Sequence, residues 1–140
     1  MKCFRCGKGR FVSKSVEISG EIRGEPITVR AEADVCGRCG FQVLSNDQST
    51  AYGIAVADAY RERHGLLTST ELKAIRRRLA MSQRDFAQFL EVGVASVKRW
   101  EAGLIQDQAM DKLIRLATDI GAARNNIKEL ERRLRLAVSR

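Results

Sequence analysis

The chain has 140 residues, of which 44% are hydrophobic and 30% charged. This composition suffices for one ordinary domain or two small ones and argues against extensive disorder. No stretch approaches the roughly 18 apolar residues of a membrane-spanning helix, and the N-terminus lacks the apolar run of a secretory signal, so we expect a cytoplasmic protein without a membrane segment. The net charge of +8 favours a polyanionic partner.

The chain changes character near Gly65. Residues 1–65 contain all four cysteines and carry a net charge of +2, whereas residues 66–140 carry +6. The first part has short β-type runs and one helical segment, and the second part is helical throughout. The sequence therefore predicts an α+β protein with two domains: a small β-hairpin and helix domain at residues 1–65, followed by an all-α domain at residues 66–140.

The elements of the first domain follow from local patterns. Residues 11–18 and 27–35 are β-type runs, and the segment between them contains glycines and a proline that predict a turn or short loop. A β-hairpin is therefore expected. Residues 41–44 add a short strand, and a helix is predicted from about residue 47 to residue 64, before Gly65.

Capping signals divide the second domain into about five helices. Ser82 and Asp85 form a capping-box pattern, which satisfies the first backbone N–H groups of a helix. Other helix starts and stops are predicted at Ser69, Gly93, Gly103, Asp107 and Gly121.

The four cysteines form two C-x-x-C pairs separated by the predicted hairpin. Two residues between thiols let both sulfurs face one ion, and two such pairs complete the tetrahedral shell that zinc accepts. The sequence predicts one structural Zn²⁺ per chain, bound by Cys3, Cys6, Cys36 and Cys39. Since four thiolates leave no open position for water, no hydrolysis is expected at this metal.

Two glycines and one histidine bear on this site. Gly7 and Gly40 follow the pairs, and a positive φ at each would aim backbone N–H groups at the thiolates. His64 is interpreted as a helix-terminal residue rather than a ligand, because four sulfurs already fill the shell.

Residues 82–103 have the pattern of two short helices that cross over a tight turn. The second helix is predicted at residues 94–102, with its N-terminal end in the major groove of double-stranded DNA. The apolar residues expected to be buried between the helices are Phe86, Ala87, Leu90, Val92, Val97 and Trp100.

Arg99 is the predicted base reader, because a guanidinium can donate two hydrogen bonds to guanine. The alternatives for Arg99 are an ion pair with Glu101 or a solvated surface. Val94 and Ala95 offer apolar contacts to a thymine methyl group. The predicted phosphate contacts are Ser82, Gln83, Ser96 and Lys98. The arginines at 76–78 are predicted to contact phosphate or to lie on a solvated helix face.

The last helix carries an apolar stripe at alternating spacings of four and three residues, on a surface rich in basic residues. The stripe can pack on its own domain or on a second subunit. A homodimer is attractive because helix-turn-helix proteins commonly bind two half-sites. The stripe comprises Ala123, Ile127, Leu130, Leu134 and Ala137.

The segment LEVGVASVKRWEAG resembles the recognition segment of phage-repressor-like (Xre/Cro) helix-turn-helix proteins, often L-G-V-S-x-x-T-I-S-R-W-E-x-G. Glu91 and Gly93 depart from that pattern. The matching residues are Leu90, Val92, Ser96, Val97, Arg99, Trp100, Glu101 and Gly103. Together with MKCFRCGKG and VCGRCGF, the chain resembles the MqsA-type antitoxins, also called YgiT-type zinc-finger proteins, over residues 1 to about 120.

This resemblance implies that the zinc domain neutralises a ribonuclease toxin, and that the C-terminal domain dimerises and represses the shared operon. The family reads bases with an Asn and an Arg four residues apart. Arg99 matches the Arg, and Ala95 stands where the family has Asn.

Two other functions are open. A zinc-containing helix-turn-helix transcriptional regulator without a toxin partner is the closest alternative. The C-x-x-C pairs also occur in redox enzymes, which would need a βαβ context that the sequence does not show. Paired carboxylates, a Ser-His-Asp set and a phosphate-binding glycine loop do not stand out, so we expect no enzyme activity.

Overall fold

A computed structural model describes residues 1–140 as an α+β protein with six helices and one antiparallel sheet of order β1-β2-β3. No helix is both long and apolar enough to cross a membrane. The elements are β1 (Phe11–Ile22), β2 (Glu25–Cys36), β3 (Gln42–Val43), α1 (Asn46–Arg63), α2 (Ser69–Arg78), α3 (Gln83–Leu90), α4 (Val94–Glu101), α5 (Gln108–Thr118) and α6 (Ile120–Val138).

The chain divides into two compact units. The first unit comprises residues 1–69 and 102–104, and the second comprises residues 70–101 and 105–140. The first unit contains the whole sheet and α1. The second contains α3 to α6 and nearly all of α2.

The hairpin is longer and its turn shorter than the sequence predicts. Strands β1 and β2 pair from Phe11–Cys36 to Ile22–Glu25. Only Arg23 and Gly24 remain between them, with φ values of 52° and 80°. Positive φ at both central residues matches the right-handed twist of a two-residue hairpin.

Pro26 therefore lies inside β2, although the sequence places it in the turn. It pairs with Glu21, next to the closing pair of the hairpin. In a two-residue hairpin the closing pair exchanges hydrogen bonds, so the next pair directs its backbone groups away from the partner strand. A proline costs no ladder hydrogen bond at such a position.

Helix α1 covers one face of the hairpin. Its first turn is fixed by a capping box between Ser45 and Gln48, and its core side includes Val56, Ala57 and Tyr60. Gly20, which the sequence assigns to the turn, lies in β1 under this helix. A Cβ atom there would stand 2.5 Å from the Tyr52 hydroxyl oxygen, so glycine permits the close approach of helix and strand.

A buried arginine organises the end of α1. The Arg61 guanidinium is fully buried and donates to Asp58 and to the Leu104 carbonyl oxygen, both at 2.9 Å. Asp58 also accepts hydrogen bonds from the Ser69 backbone N–H and hydroxyl. The sequence predicts Ser69 as the cap of α2, but it is the first residue of that helix and Asp58 accepts its N–H.

Helices α3 and α4 contact each other and are joined by residues 91–93. The predicted capping box of Ser82 and Asp85 is confirmed. The chain reverses at Glu91, which adopts the left-handed conformation with φ 58°. Of the residues predicted to be buried, Val92 is only partly buried, and the others are buried: Phe86, Ala87, Leu90, Val97 and Trp100.

A bidentate ion pair links α2 to α4. The Arg76 guanidinium donates to both carboxylate oxygens of Glu101, at 2.8 and 3.1 Å, and also to the Met81 carbonyl oxygen. Glu101 is only 5% exposed. Arg76 is therefore neither a solvated residue nor free to contact phosphate, and Glu101 is not the partner of Arg99.

The boundary between α5 and α6 differs from the prediction. Asp107 caps α5 as expected, but α5 ends at Thr118. Asp119 caps α6 by accepting hydrogen bonds from the N–H groups of Gly121 and Ala122. Gly121 therefore lies in the first turn of α6 instead of separating two helices.

Replacement of Arg76 by Met should lower the free energy of unfolding of the second unit by about 3 kcal/mol, because it leaves the buried Glu101 carboxylate without its cation. Urea unfolding followed by the fluorescence of Trp100, the only tryptophan, measures this change. The exposed neighbour Arg77→Met is the control and should cost less than about 0.5 kcal/mol. Equal losses in the two variants would contradict the role assigned to the ion pair.

Candidate functional site

Two short loops of the first unit hold the four cysteines. In the first loop, the Cys3 N–H donates to the Gly9 carbonyl oxygen at 2.7 Å, and the Gly7 N–H donates to the Cys3 carbonyl oxygen at 2.8 Å. An isolated bridge between Lys2 and Arg10 closes the base of this loop. Each C-x-x-C segment curls so that both of its sulfurs face the same side.

The second loop repeats this pattern at the end of β2. The Gly40 N–H donates to the Cys36 carbonyl oxygen at 3.0 Å, and the Gly37 N–H donates to the Arg10 carbonyl oxygen. The latter bond joins the two loops. The positive φ predicted after each cysteine pair is confirmed, with 68° at Gly7 and 73° at Gly40.

The four sulfur atoms lie within 4.8 Å of one another and could hold a metal ion. The Sγ atoms of Cys3 and Cys39 are 3.7 Å apart, and those of Cys6 and Cys36 are 3.8 Å apart. Metal–sulfur bonds of about 2.3 Å in a regular tetrahedron place sulfurs about 3.8 Å apart. A disulfide requires about 2.05 Å, so the spacing fits a shared metal ion and no cross-link.

Backbone N–H groups favour thiolates at two of the four positions. Hydrogen bonds from Gly9 and Lys8 lower the pKa of the Cys6 thiol to about 6. Those from Cys39 and Arg38 lower the pKa of Cys36. Backbone donors compensate thiolate charge, which is the second-shell contribution expected at a thiolate metal site.

Cys39 shows the opposite effect. The backbone N–H of Phe41 lowers its pKa, but burial and the neighbouring thiols outweigh that bond and raise the value to about 11. Four thiolates this close repel one another unless a cation lies between them. The cluster thus has the donor atoms and spacing of a site that could hold a divalent cation.

Gly9 is a component of the site that sequence reasoning missed. It is buried, and a Cβ atom at this position would lie 2.3 Å from the Cys36 sulfur and 2.9 Å from the Arg38 Cβ atom. Its N–H donates to the Cys6 sulfur at 3.4 Å. The only sequence signal is its position three residues after Cys6, and nothing local indicates that the second loop passes against it.

Aromatic rings pack beside the cysteine loops. The Phe4 ring centroid lies 5.4 Å from that of Phe11 and 5.7 Å from that of Phe41. The Arg5 guanidinium carbon lies 5.2 Å from the Phe41 ring centroid. These contacts connect three chain segments beside the cysteine cluster, and Phe4 itself is largely exposed.

His64 lies outside the cysteine cluster. It follows the last residue of α1, stacks on Tyr60, and its Nε2 is 2.7 Å from a Glu25 carboxylate oxygen. Hydrogen bonds from His64 and Arg63 lower the pKa of Glu25. This position agrees with a helix-terminal residue that pairs with the hairpin.

Helix α4 of the second unit presents most of its predicted DNA-contacting residues to solvent. Ala95, Lys98 and Arg99 are exposed, and Val94 and Ser96 are partly buried. Arg99 forms no ion pair or hydrogen bond within the chain, so its guanidinium is available to a ligand.

The two predicted phosphate contacts at the start of α3 differ in exposure and hydrogen bonding. Ser82 is exposed, but its oxygen accepts the Asp85 N–H and its own N–H donates to the Asp85 carboxylate. Gln83 is the first residue of α3 and is partly buried. The structure thus brings the four predicted metal ligands together and leaves the α4 residues on an exposed helix.

The fold and the cysteine cluster define a protein with a candidate metal centre in a small hairpin unit and a separate helical unit. A protein-family model described as "Antitoxin component of bacterial toxin-antitoxin system, MqsA" matches residues 1–128, and the chain belongs to this family. The predicted relationship to MqsA-type antitoxins is thereby confirmed. A search among curated proteins finds no match to the chain.

Replacement of Gly9 by Ala should weaken metal binding roughly 10- to 100-fold, since the new methyl group would overlap the Cys36 sulfur. Competition with a chromophoric chelator measures the affinity. Gly37→Ala is the matched control, because its Cβ atom would meet nothing closer than the Arg10 carbonyl oxygen at 3.9 Å. Identical affinities for the two variants would show that the close approach at Gly9 is unimportant.

Proposed function

We propose that the chain is a cytoplasmic type II antitoxin that binds a ribonuclease toxin and represses its own operon as a homodimer on operator DNA. The observation that carries this proposal is the family match over residues 1–128. The division of the chain supports it, because one compact unit holds the cysteine cluster and the other holds the exposed α4. We assign the zinc domain to residues 1–65 and the DNA-binding and dimerisation domain to residues 66–140.

The ion in this proposal is one structural Zn²⁺ per chain, bound by Cys3, Cys6, Cys36 and Cys39. Soft thiolates select zinc among the common divalent cations, and a shell of four sulfurs excludes catalytic water. The first unit has one hairpin, one short strand and one helix, so metal binding supplies folding free energy that its small core lacks. The ion thus stabilises the surface that meets the toxin.

The toxin partner is best tested by capture. The tagged full-length chain, expressed in its native host and purified at moderate salt with nuclease present, should retain a small ribonuclease-like protein at a stoichiometric ratio. The Cys36→Ser variant, which lacks one metal ligand, should lose the partner, whereas the exposed Ser13→Ala change in β1 should keep it. Mass spectrometry identifies the captured protein and metal analysis counts zinc.

Recovery of the chain alone would contradict the antitoxin function. It would favour the alternative, a zinc-containing transcriptional regulator that has no toxin partner. Normal capture by a zinc-free Cys36→Ser protein would contradict the role given to the metal.

For the DNA contact, we propose that α3 and α4 form an Xre/Cro-like helix-turn-helix. The two helices pack against each other and are joined by only three residues, and the second helix has an exposed face. That face contains the unpaired Arg99 beside Lys98, and the net charge of +6 in residues 66–140 favours a polyanion. Arg99 would donate to guanine in the major groove.

The remaining contacts follow from side-chain chemistry. Ala95 and Val94 can meet only an apolar group such as a thymine methyl, so the sequence preference at that position should differ from that of relatives with Asn. Ser96, Lys98, Ser82 and Gln83 are assigned to phosphate, which positions the protein without reading sequence.

Arg99→Ala should lower operator affinity by about 1–3 kcal/mol and relax the base preference at particular positions of each half-site. Lys98→Ala should weaken binding to all sequences alike and reduce the dependence of log affinity on log salt by about one. Titrations on the operator and on a scrambled duplex at several salt concentrations separate the two effects. Unchanged sequence preference in Arg99→Ala would refute its assignment as base reader.

A further inference from the structure

Helix α6 presents an apolar face that nothing in the chain covers. None of its residues is buried, although the helix is capped at both ends. The face continues beyond residue 128, where the family match ends. Its exposed large apolar residues are Ile120, Ile127, Leu130 and Leu134, with Val138 at the far end.

We propose that two copies of the chain pack these helices against each other in antiparallel orientation, with Ile127 of one copy opposite the partner's Leu130. The proposal deepens the homodimer of the proposed function and rests on it. The occupant of the α6 face is therefore a second α6. The spacing of the stripe assigns Ile120, Ile127 and Leu134 to position a of a heptad, and Ala123, Leu130 and Ala137 to position d.

The sizes of the side chains favour the antiparallel orientation. Antiparallel helices place position a opposite position d, so that Leu134 meets the partner's Ala123 and Ile120 meets the partner's Ala137. Each outer layer then combines one large and one small side chain, which packs without voids. Parallel helices would instead pair Ala123 with itself and Ala137 with itself and leave two empty layers.

The charges beside the stripe point to the same orientation. Arg124 and Glu131 are exposed, form no ion pair within the chain, and lie seven residues apart, too far to reach each other. In the antiparallel register Arg124 lies beside the partner's Glu131, and the two-fold axis makes this contact twice. Glu129, by contrast, is already bound by Arg132 and Arg133 at 2.7 Å each.

A parallel pair uses the same charges less well. There Glu131 would face the partner's Asn126, and Arg124 would face the partner's Asp119. The carboxylate of Asp119 already accepts two N–H groups as the cap of α6. The antiparallel arrangement therefore gives both Arg124 and Glu131 an oppositely charged partner on the second copy, whereas the parallel arrangement does not.

An apolar groove at the start of α6 fits the far end of the partner helix. Its volume is about 330 Å³, and it is lined by Leu79, which follows α2, and by residues of α5 and α6, among them Ala117 and Ile120. In the antiparallel register the partner's Ala137 lies opposite Ile120, so the partner's Val138 lies beside the mouth of this groove. Val138 is 89% exposed in the single chain.

The test is sedimentation equilibrium of the zinc-loaded full-length chain. Arg124→Glu and Glu131→Arg each replace two attractive contacts by two repulsive ones and should raise the dimer dissociation constant roughly ten-fold. The double variant restores both contacts and should return the constant to within about three-fold of the original. In a parallel pair the glutamate that replaces Arg124 would lie beside the partner's Asp119. The two carboxylates would repel each other, so the double variant would not restore the dimer.

Two control variants test whether the effects are specific to the apolar face of α6. Lys128→Glu makes the same change of charge as Arg124→Glu, but on the outer side of the helix, and should leave the dissociation constant unchanged. Leu134→Asp should abolish the dimer, whereas Leu136→Asp, on the opposite side of α6, should not. Circular dichroism of each variant confirms that α6 stays helical.

The outcomes separate this inference from the proposed function. A dimer that none of the variants weakens would overturn the α6 contact and leave the homodimer standing on another surface. Weakening without rescue in the double variant would overturn the antiparallel orientation. A wild-type chain that is monomeric throughout the concentration range would overturn both the contact and the homodimer, while toxin capture by the same preparation would uphold the antitoxin function.

Discussion

The proximity of four thiol groups is the constraint on which the first unit depends. Sulfurs 3.7 and 3.8 Å apart would repel one another as thiolates, so a cation between them would stabilise the arrangement. The loops that position them are held by backbone hydrogen bonds, and the Gly37 N–H ties the second loop to the first through Arg10. Because the second loop begins at the end of β2, the same contact anchors the long hairpin and the helix packed on it.

The helical unit relies on a buried charge pair. Arg76 and Glu101 connect two helices that are distant in sequence, and Glu101 is nearly inaccessible to water. This pair explains why Glu101 is buried, whereas Arg99, on the other side of Trp100 in the sequence, is exposed. Two positions along an eight-residue helix thus separate a structural charge from the charge proposed to read DNA.

The sequence by itself determined what depends on near neighbours. The spacing of Cys3 and Cys6 and of their counterparts indicates a metal site, because two intervening residues let both sulfurs of one loop face the same ion. The capping box at Ser82 and the cap at Asp107 were equally predictable, since each joins groups three residues apart. Hydrophobic periodicity indicated the α+β class, the hairpin, most of the helices and the inward face of Trp100.

Tertiary structure alone decided the features that join distant residues. The sequence placed Pro26 in a turn, but the strand register puts it in β2 at a position that needs no N–H donor. It could not identify Gly9 as a point of close approach, or Glu101 as the partner of Arg76, because these contacts span 27 and 25 residues. The local sequence pattern reports how a residue affects its own helix or turn. Packing decides which distant residue becomes the partner of a buried charge, and which chain segment passes close to a glycine.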